Sequence, residues 1–185
     1  MIFEKFELPE GEACTVEKVA ADLARIFDVR RHEVAILSLQ GQILRFLYPA
    51  ELKTAGAIPL SSHAVAAQTA KTKKAELFNN FMMRRHSRLF ELVNLDSEKE
   101  AGRLDTQIIQ KLMTAPIIDR RGETLGVVQI SRKGITPNSA GADFTPEELQ
   151  QLEYAARIVA TVMPLLNTTD RWQQSNPQTQ VSTTS

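Results

Sequence analysis

This 185-residue chain has a single cysteine, Cys14, and that scarcity sets the first limits on its chemistry. One thiol cannot close an internal disulfide, supply a CxxC pair or build a cysteine zinc site, and this usage fits a reducing compartment. Net charge is absent as well: 22 Lys and Arg balance 22 Asp and Glu, with a pI near 6.8. A dedicated nucleic-acid binder would show a strong basic bias, so nucleic acid is not the expected partner. No stretch approaches the ~18 uncharged apolar residues of a membrane span, and the opening residues carry acids where a signal peptide needs a basic and then an apolar run. The expectation is a cytoplasmic protein without a membrane partner. GxSxG, P-loop, HExxH and GxGxxG motifs are all missing, so nucleophilic, phosphoryl-transfer, metallopeptidase and dinucleotide functions have no motif support.

What is present suffices for one domain. About 150 residues can bury roughly 70% of their unfolded surface, so a core forms without metal or disulfide staples. The expected organisation is an N-terminal extension over 1–14, a domain over 15–167 and a disordered polar tail over 168–185, where 12 of 18 residues are Thr, Ser or Gln.

Val16, Val19, Ala20, Leu23, Ile26 and Phe27 recur at helical spacing and predict an amphipathic first helix. Val34–Leu39 and Ile43–Tyr48 flank Gln40-Gly41-Gln42 and predict an antiparallel hairpin. Strict alternation groups Leu44, Phe46 and Tyr48 on one face, opposite Ile43 and Leu47. Both faces are apolar, so the sheet needs cover on both sides. Ser61-Ser62 reads as the N-cap of a short alanine-rich helix ending at Lys71, Lys73 and Lys74, followed by a short strand at Glu76, Leu77 and Phe78. Residues 79–106 are irregular, with Phe81, Met82, Met83, Leu89, Phe90, Leu92 and Val93 able to line a helix ahead of a charged loop from Asp96 to Asp105. Ile108–Ile118 and Leu125–Ser131 flank the polar turn Asp119–Thr124 and predict a second hairpin, with Pro116 implying a bulge or an edge in its first arm. In Phe144-Thr145-Pro146-Glu147-Glu148-Leu149, Thr145 is an N-cap, Pro146 sits at N1, Glu148 closes a capping box and Phe144 with Leu149 forms a hydrophobic staple. A long helix starts there, and Pro164 is expected to kink or end it.

The order helix, hairpin, small helix, irregular insert, hairpin, long helix resembles the GAF domain family. The specific match is Ala115-Pro116-Ile117-Ile118-Asp119-Arg120-Arg121-Gly122-Glu123-Thr124-Leu125-Gly126-Val127-Val128-Gln129-Ile130 followed by Phe144-Thr145-Pro146-Glu147-Glu148-Leu149. It is similar to the closing hairpin and final helix of that family. A PAS-like α+β domain with the same hairpin chemistry is the alternative that the residue pattern leaves open. Either way the fold class expected is α+β, a central antiparallel sheet with terminal helices on one face and a variable helix and loop segment on the other.

The resemblance implies a sensory or regulatory role, with a small-molecule pocket bounded by residues 57–106. Candidate lining residues are Tyr48, His63, Phe78, Phe81, Arg85, His86, Phe90 and Gln129. The ordinary reading of each aromatic is core, and that of the basic run Arg84–Arg88 is a solvated face balanced by Glu91, Asp96, Glu98 and Glu100. Haem is conceivable from the family, but His32, His63 and His86 are scattered and no second ligand is visible, so the cofactor stays unknown and no metal is expected. Free methionine sulfoxide reductases of the family use several cysteines, bilin-attaching members need one near the pocket, and the constellation of cyclic-nucleotide binders is not recognisable here. An enzyme is therefore not expected, and an interaction scaffold with a collapsed pocket is the rival to a ligand sensor. In the long helix, Leu149, Leu152, Ala156, Val159, Met163 and Leu166 form one apolar seam and Ala155, Ile158, Val162 and Leu165 a second. The second seam is the candidate interface of a homodimer that would signal to a downstream protein.

Overall fold

Every apolar position of the first helix finds a use: Val19, Ala20, Leu23 and Ala24 of α1 (Val16–Ile26) are all buried, and the Thr15 hydroxyl caps it by accepting the Lys18 amide at 3.3 Å. The computed structural model describes residues 14–54, 56–81 and 108–175. After a single 3-10 turn at Arg31–Glu33 come β1 (Val34–Gln40) and β2 (Ile43–Tyr48), joined through Gly41, whose φ of +61° suits the tight connection. A second 3-10 turn at Ala50–Leu52 leads to β3 (Ala57–Pro59), then α2 (Val65–Thr72) and β4 (Glu76–Phe78). The second hairpin is β5 (Ile108–Ile118) with β6 (Thr124–Gly134), and the last element is α3 (Pro146–Ser175).

The six strands form one antiparallel sheet in the order β3-β2-β1-β6-β5-β4, so the two hairpins meet at its centre through β1 and β6. Helices α1 and α3 cover one face, packing Leu23, Phe27, Leu152, Val159 and Met163 on Ile36, Met113, Ile117, Val128 and Ile130. Helix α2 covers the other, with Ala66 and Ala70 against Leu37, Leu44, Phe46 and Val127.

Period-two alternation locates these faces except where the register shifts, in the β5–β6 ladder between Ile109 and Lys111 and between Ile117 and Ile118, and in the β1–β2 ladder. Ile36 pairs with Tyr48 but Leu37 pairs with Phe46, so β2 carries an extra residue and the register slips by one. Leu47 and Tyr48 consequently both pack against the core beneath α1 and α3. The grouping of Tyr48 with Leu44 and Phe46 is corrected accordingly.

Local chemistry explains the hairpins' ends and the helix starts. The Asp119 side chain accepts the Arg121 and Glu123 amides at 2.8 and 2.9 Å, and Gly122 takes φ +83°, closing the β5–β6 turn. Strand β4 pairs only with Leu112–Thr114, so Pro116 falls where β5 has β6 as its sole described neighbour and its missing N–H costs no ladder bond on the open side. The capping box forms as the spacing requires: the Glu148 amide donates to Thr145 Oγ1 at 3.2 Å and the Thr145 amide to the Glu148 carboxylate at 2.7 Å.

Two helix boundaries differ from expectation. Helix α2 begins at Val65 after Ala64, which has no capping side chain, while the Ser62 hydroxyl instead accepts the Ala64 amide at 3.4 Å in the preceding turn. Helix α3 runs through Pro164 to Ser175, beyond the domain boundary expected at 167. Pro164 itself is exposed, so its ring displaces no core side chain, and the helix continues past it.

Gly126 fixes how closely the hairpins can join. A Cβ there would overlap the Leu37 carbonyl oxygen and come within 2.9 Å of Met163 Cε. Because the first obstacle is backbone, relaxation requires parting β1 from β6. Gly126→Ala should lower unfolding free energy by at least about 1–3 kcal/mol, measured by urea titration; an unchanged midpoint would show that the strands are not held this tightly.

Candidate ligand-binding face of the sheet

Alternation along the second hairpin sends Met113, Ala115, Val128 and Ile130 under α1 and α3, and Leu112, Thr114, Val127 and Gln129 under α2. Beneath α2 the apolar core is not continuous. One cluster, Leu37, Leu44, Phe46, Leu52 and Val127 with Ala66 and Ala70, lies under β1 and β2; another, Phe81, Ile109 and Leu112 with Phe78 and Val65, lies under β4 and β5.

Between them runs a buried polar row. Thr69 and Thr114 are fully buried, and Gln129 is 4% exposed. Thr69 Oγ1 donates to the Val65 carbonyl at 2.9 Å and lies 3.0 Å from Thr114 Oγ1. A hydroxyl has one proton, so Thr114 is the donor to Thr69. Gln129 Nε2 approaches Thr114 Oγ1 at 3.5 Å, which sets the direction of the row from Gln129 through Thr114 and Thr69 to Val65. Apolar groups of similar shape would fill the same volume without needing partners, so the row is a costly choice unless it orients something.

The end of this face is pinned by a buried carboxylate. Glu33 accepts the Arg30 amide and guanidinium, each at 2.8 Å, and the Lys133 amide at 2.6 Å, while its own carbonyl accepts the Ser131 hydroxyl at 3.0 Å. Burial alone would raise its pKa, but the Arg30 guanidinium and the Lys133 and Arg30 amides hold it below the ordinary glutamate range.

The candidate residues separate sharply on this framework. Gln129, Phe78 and Phe81 share the α2 face; Phe81 is buried, Phe78 half-buried, and their rings stand 6.2 Å apart. Tyr48 lies across the sheet, for the reason the β2 bulge gives. His63 is exposed in the loop before α2. Arg85, His86 and Phe90 fall outside the described residues. Thr69 and Thr114 were not singled out in the sequence, although Thr114 keeps the same phase on β5 as Leu112 and is thereby placed opposite Gln129.

In α3, Ala155 and Val162 are buried in the chain's own core, Ile158 is half-buried and Leu165 is 59% exposed. The division into one core seam and one free seam is corrected: α3 meets both the sheet and α1, so both rows contribute to the monomer core. Among the described side chains of α3, Tyr154 and Leu165 are the exposed large apolar residues, with half-buried Ile158 between them. Cys14 is half-buried beside the α1 core, where burial pushes its thiol pKa up, away from the reactive thiolate form. Among the described residues no cluster of three His, Cys, Asp or Glu could hold a metal ion, and no helix is long and apolar enough to cross a membrane.

A six-stranded antiparallel sheet in this order, with the helices of both termini on one face and a small helix on the other, defines an α+β domain of the GAF class. The chain belongs to the GAF domain family, which residues 13–163 match. Its fold is similar to the GAF domain of an Acinetobacter phosphoenolpyruvate-protein phosphotransferase, at TM-score 0.59 and 13% identity over 84% of each chain. The GAF domain of a phosphoenolpyruvate-protein phosphotransferase from Coxiella burnetii gives 0.58 and 11%, again over 84% of each chain. Free methionine-R-sulfoxide reductase from Neisseria meningitidis, in complex with its substrate, gives 0.54 and 13% over 83% of this chain and 78% of that one. At these identities the likeness is one of fold. No curated protein matches the sequence.

The Glu33 clamp generates a pH signature. A carboxylate whose folded pKa is depressed contributes stability that is complete above its unfolded pKa of about 4.3 and is lost as pH falls through the folded value. Arg30 is 45% exposed, so solvent screening limits the ion pair's share. Glu33→Gln should cost on the order of 1 kcal/mol at neutral pH, with the gap to the unmodified protein closing below about pH 4. Urea titrations across pH check this, and a gap that persists undiminished into acid would assign the loss to packing instead.

Proposed function

We propose that this chain is a cytoplasmic sensory domain that binds a small molecule on the α2 face of its sheet and carries no catalytic centre. The observation behind this reading is the Gln129–Thr114–Thr69 row, three buried polar side chains set between two apolar clusters. Concave apolar surfaces with a few oriented polar groups are what small-molecule sites are made of. Phe78 and Phe81 close the site on the β4 side. The raised pKa and half-buried position of Cys14 support binding rather than thiol chemistry.

Native mass spectrometry of the protein as purified tests the reading directly. A retained non-protein mass is expected, and Thr114→Val should release it, since that change removes the group that holds Gln129 in direction. Protein that emerges empty and shows no thermal shift across a metabolite panel would favour the rival scaffold reading and end the sensor one.

The readout we propose is a homodimer through α3, acting on a downstream protein. Tyr154, Ile158 and Leu165 repeat at spacings of four and seven on its outer side, and Tyr154 and Leu165 are 48% and 59% exposed. A second copy of the same helix supplies a complementary row, as two-fold interfaces require. Leu165→Glu, at the 59% exposed position, should convert a dimer to folded monomers in sedimentation at tens of micromolar. A monomeric unmodified protein at that concentration would dispose of the dimer.

A further inference from the structure

The sheet separates the α2 face from the terminal helices, so a change on one side reaches the other only through the strands or around an edge. Among the described residues strand β4 is such an edge, last in the strand order. Directly after it, Asn79 reaches to the residue before the N-cap of α3: its Nδ2 donates to the Phe144 carbonyl at 2.9 Å and its Oδ1 accepts the Phe144 amide at 2.8 Å. An amide side chain making both bonds to one residue copies a strand-pairing contact and fixes its position in two directions. On one side of Asn79 stands Phe78 and two residues beyond stands Phe81, the aromatic pair that walls the α2 face.

Phe144 is itself a junction. Its ring is buried in the core beneath α1 and α3, with the Arg132 guanidinium 4.1 Å above its centroid. Arg132 also donates to the Phe27 carbonyl at the end of α1, to the Ala142 carbonyl and to the Glu148 carboxylate, the same carboxylate that completes the α3 cap. A shift at Phe144 therefore reaches the ends of both terminal helices through Arg132, which stands 4.1 Å from its ring centroid and bonds the Phe27 carbonyl and the Glu148 carboxylate, each at 3.3 Å.

We infer that Asn79 is a positioning residue that couples the aromatic wall of the α2 face to the first turn of α3, making the β4 edge the route by which occupancy of that face alters the terminal helices. This rests on the reading of the α2 face as the site, but its test needs no ligand. Hydrogen exchange at the Glu148 and Leu149 amides, bonded to Thr145 Oγ1 and the Thr145 carbonyl, reports the cap. The core amide of Val159 reports global opening. Phe81→Leu is the perturbation, chosen to keep the fold, with Phe81→Ala as the stronger form.

With Asn79 present, Phe81→Leu should speed exchange at Glu148 and Leu149 about five-fold more than at Val159. In an Asn79→Ala background, itself compared with its own parent, the same change should add less than about two-fold, because the link is already cut. An equal added effect with and without Asn79 would overturn the coupling, as would unchanged cap exchange in both Phe81 variants of the otherwise intact protein. A retained ligand found by mass spectrometry would leave either outcome standing, so failure here and failure of the sensor reading are separate results.

Discussion

The antiparallel pairing of β1 with β6 is the contact on which the rest of this structure depends. It joins hairpins that are far apart in the chain, and the entropy of closing that loop must be recovered by the surfaces the pairing creates. Before the two hairpins meet, neither is wide enough to present two faces for burial. Once they meet, one sheet exists and α1, α2 and α3 have something to cover. Gly126 is the local condition for this, since the strand opposite Leu37 approaches at a distance that leaves no room for a side chain.

The two faces then diverge in character. Beneath α1 and α3 the packing is apolar and branched, with Phe27, Leu152, Val159 and Met163 filling the volume, and it secures the fold. Beneath α2 the helix contributes small residues, Ala66, Ala67 and Ala70, and the sheet contributes threonine and glutamine as well as leucine. Burying those polar groups has value only where direction matters, because hydrogen bonds fix orientation while apolar contacts do not. The same sheet thus carries a stabilising side and an orienting side. What connects them runs around its edge, where Asn79, Phe144 and Arg132 tie the end of β4 to the starts and ends of the terminal helices.

Much of this was legible in the residues themselves. The capping box at Thr145 and Glu148, the glycine turns at Gly41 and Gly122, and the amphipathic α1 are each decided by neighbours within about four positions, where dihedral preference and hydrogen-bond geometry dominate. The family likewise follows from the Ala115–Ile130 hairpin and the helix start after it. Of the candidate lining residues, Gln129, Phe78 and Phe81 lie on the α2 face, Gln129 through its pairing with Thr114 and the two rings through the cluster with Ile109 and Leu112.

Tertiary structure decided the rest. Tyr48 changed faces because one extra residue in β2 resets the alternation, and a bulge is set by cross-strand pairing rather than by local sequence. Ala155 and Val162 became core because α3 lies against both α1 and the sheet, so the width of its buried face depends on two neighbours that the helix's own periodicity cannot reveal. Thr69 and Thr114 escaped notice because threonine in a helix or a strand is unremarkable until the two hydroxyls stand 3.0 Å apart across a layer. Sequence alone determined the two hairpins, the first helix, the capped start of the last helix and the family, all of which rest on short-range backbone preferences and periodicity. Only the packed chain determined which polar groups meet and which apolar rows remain outside, because those depend on distances between residues that the sequence keeps far apart.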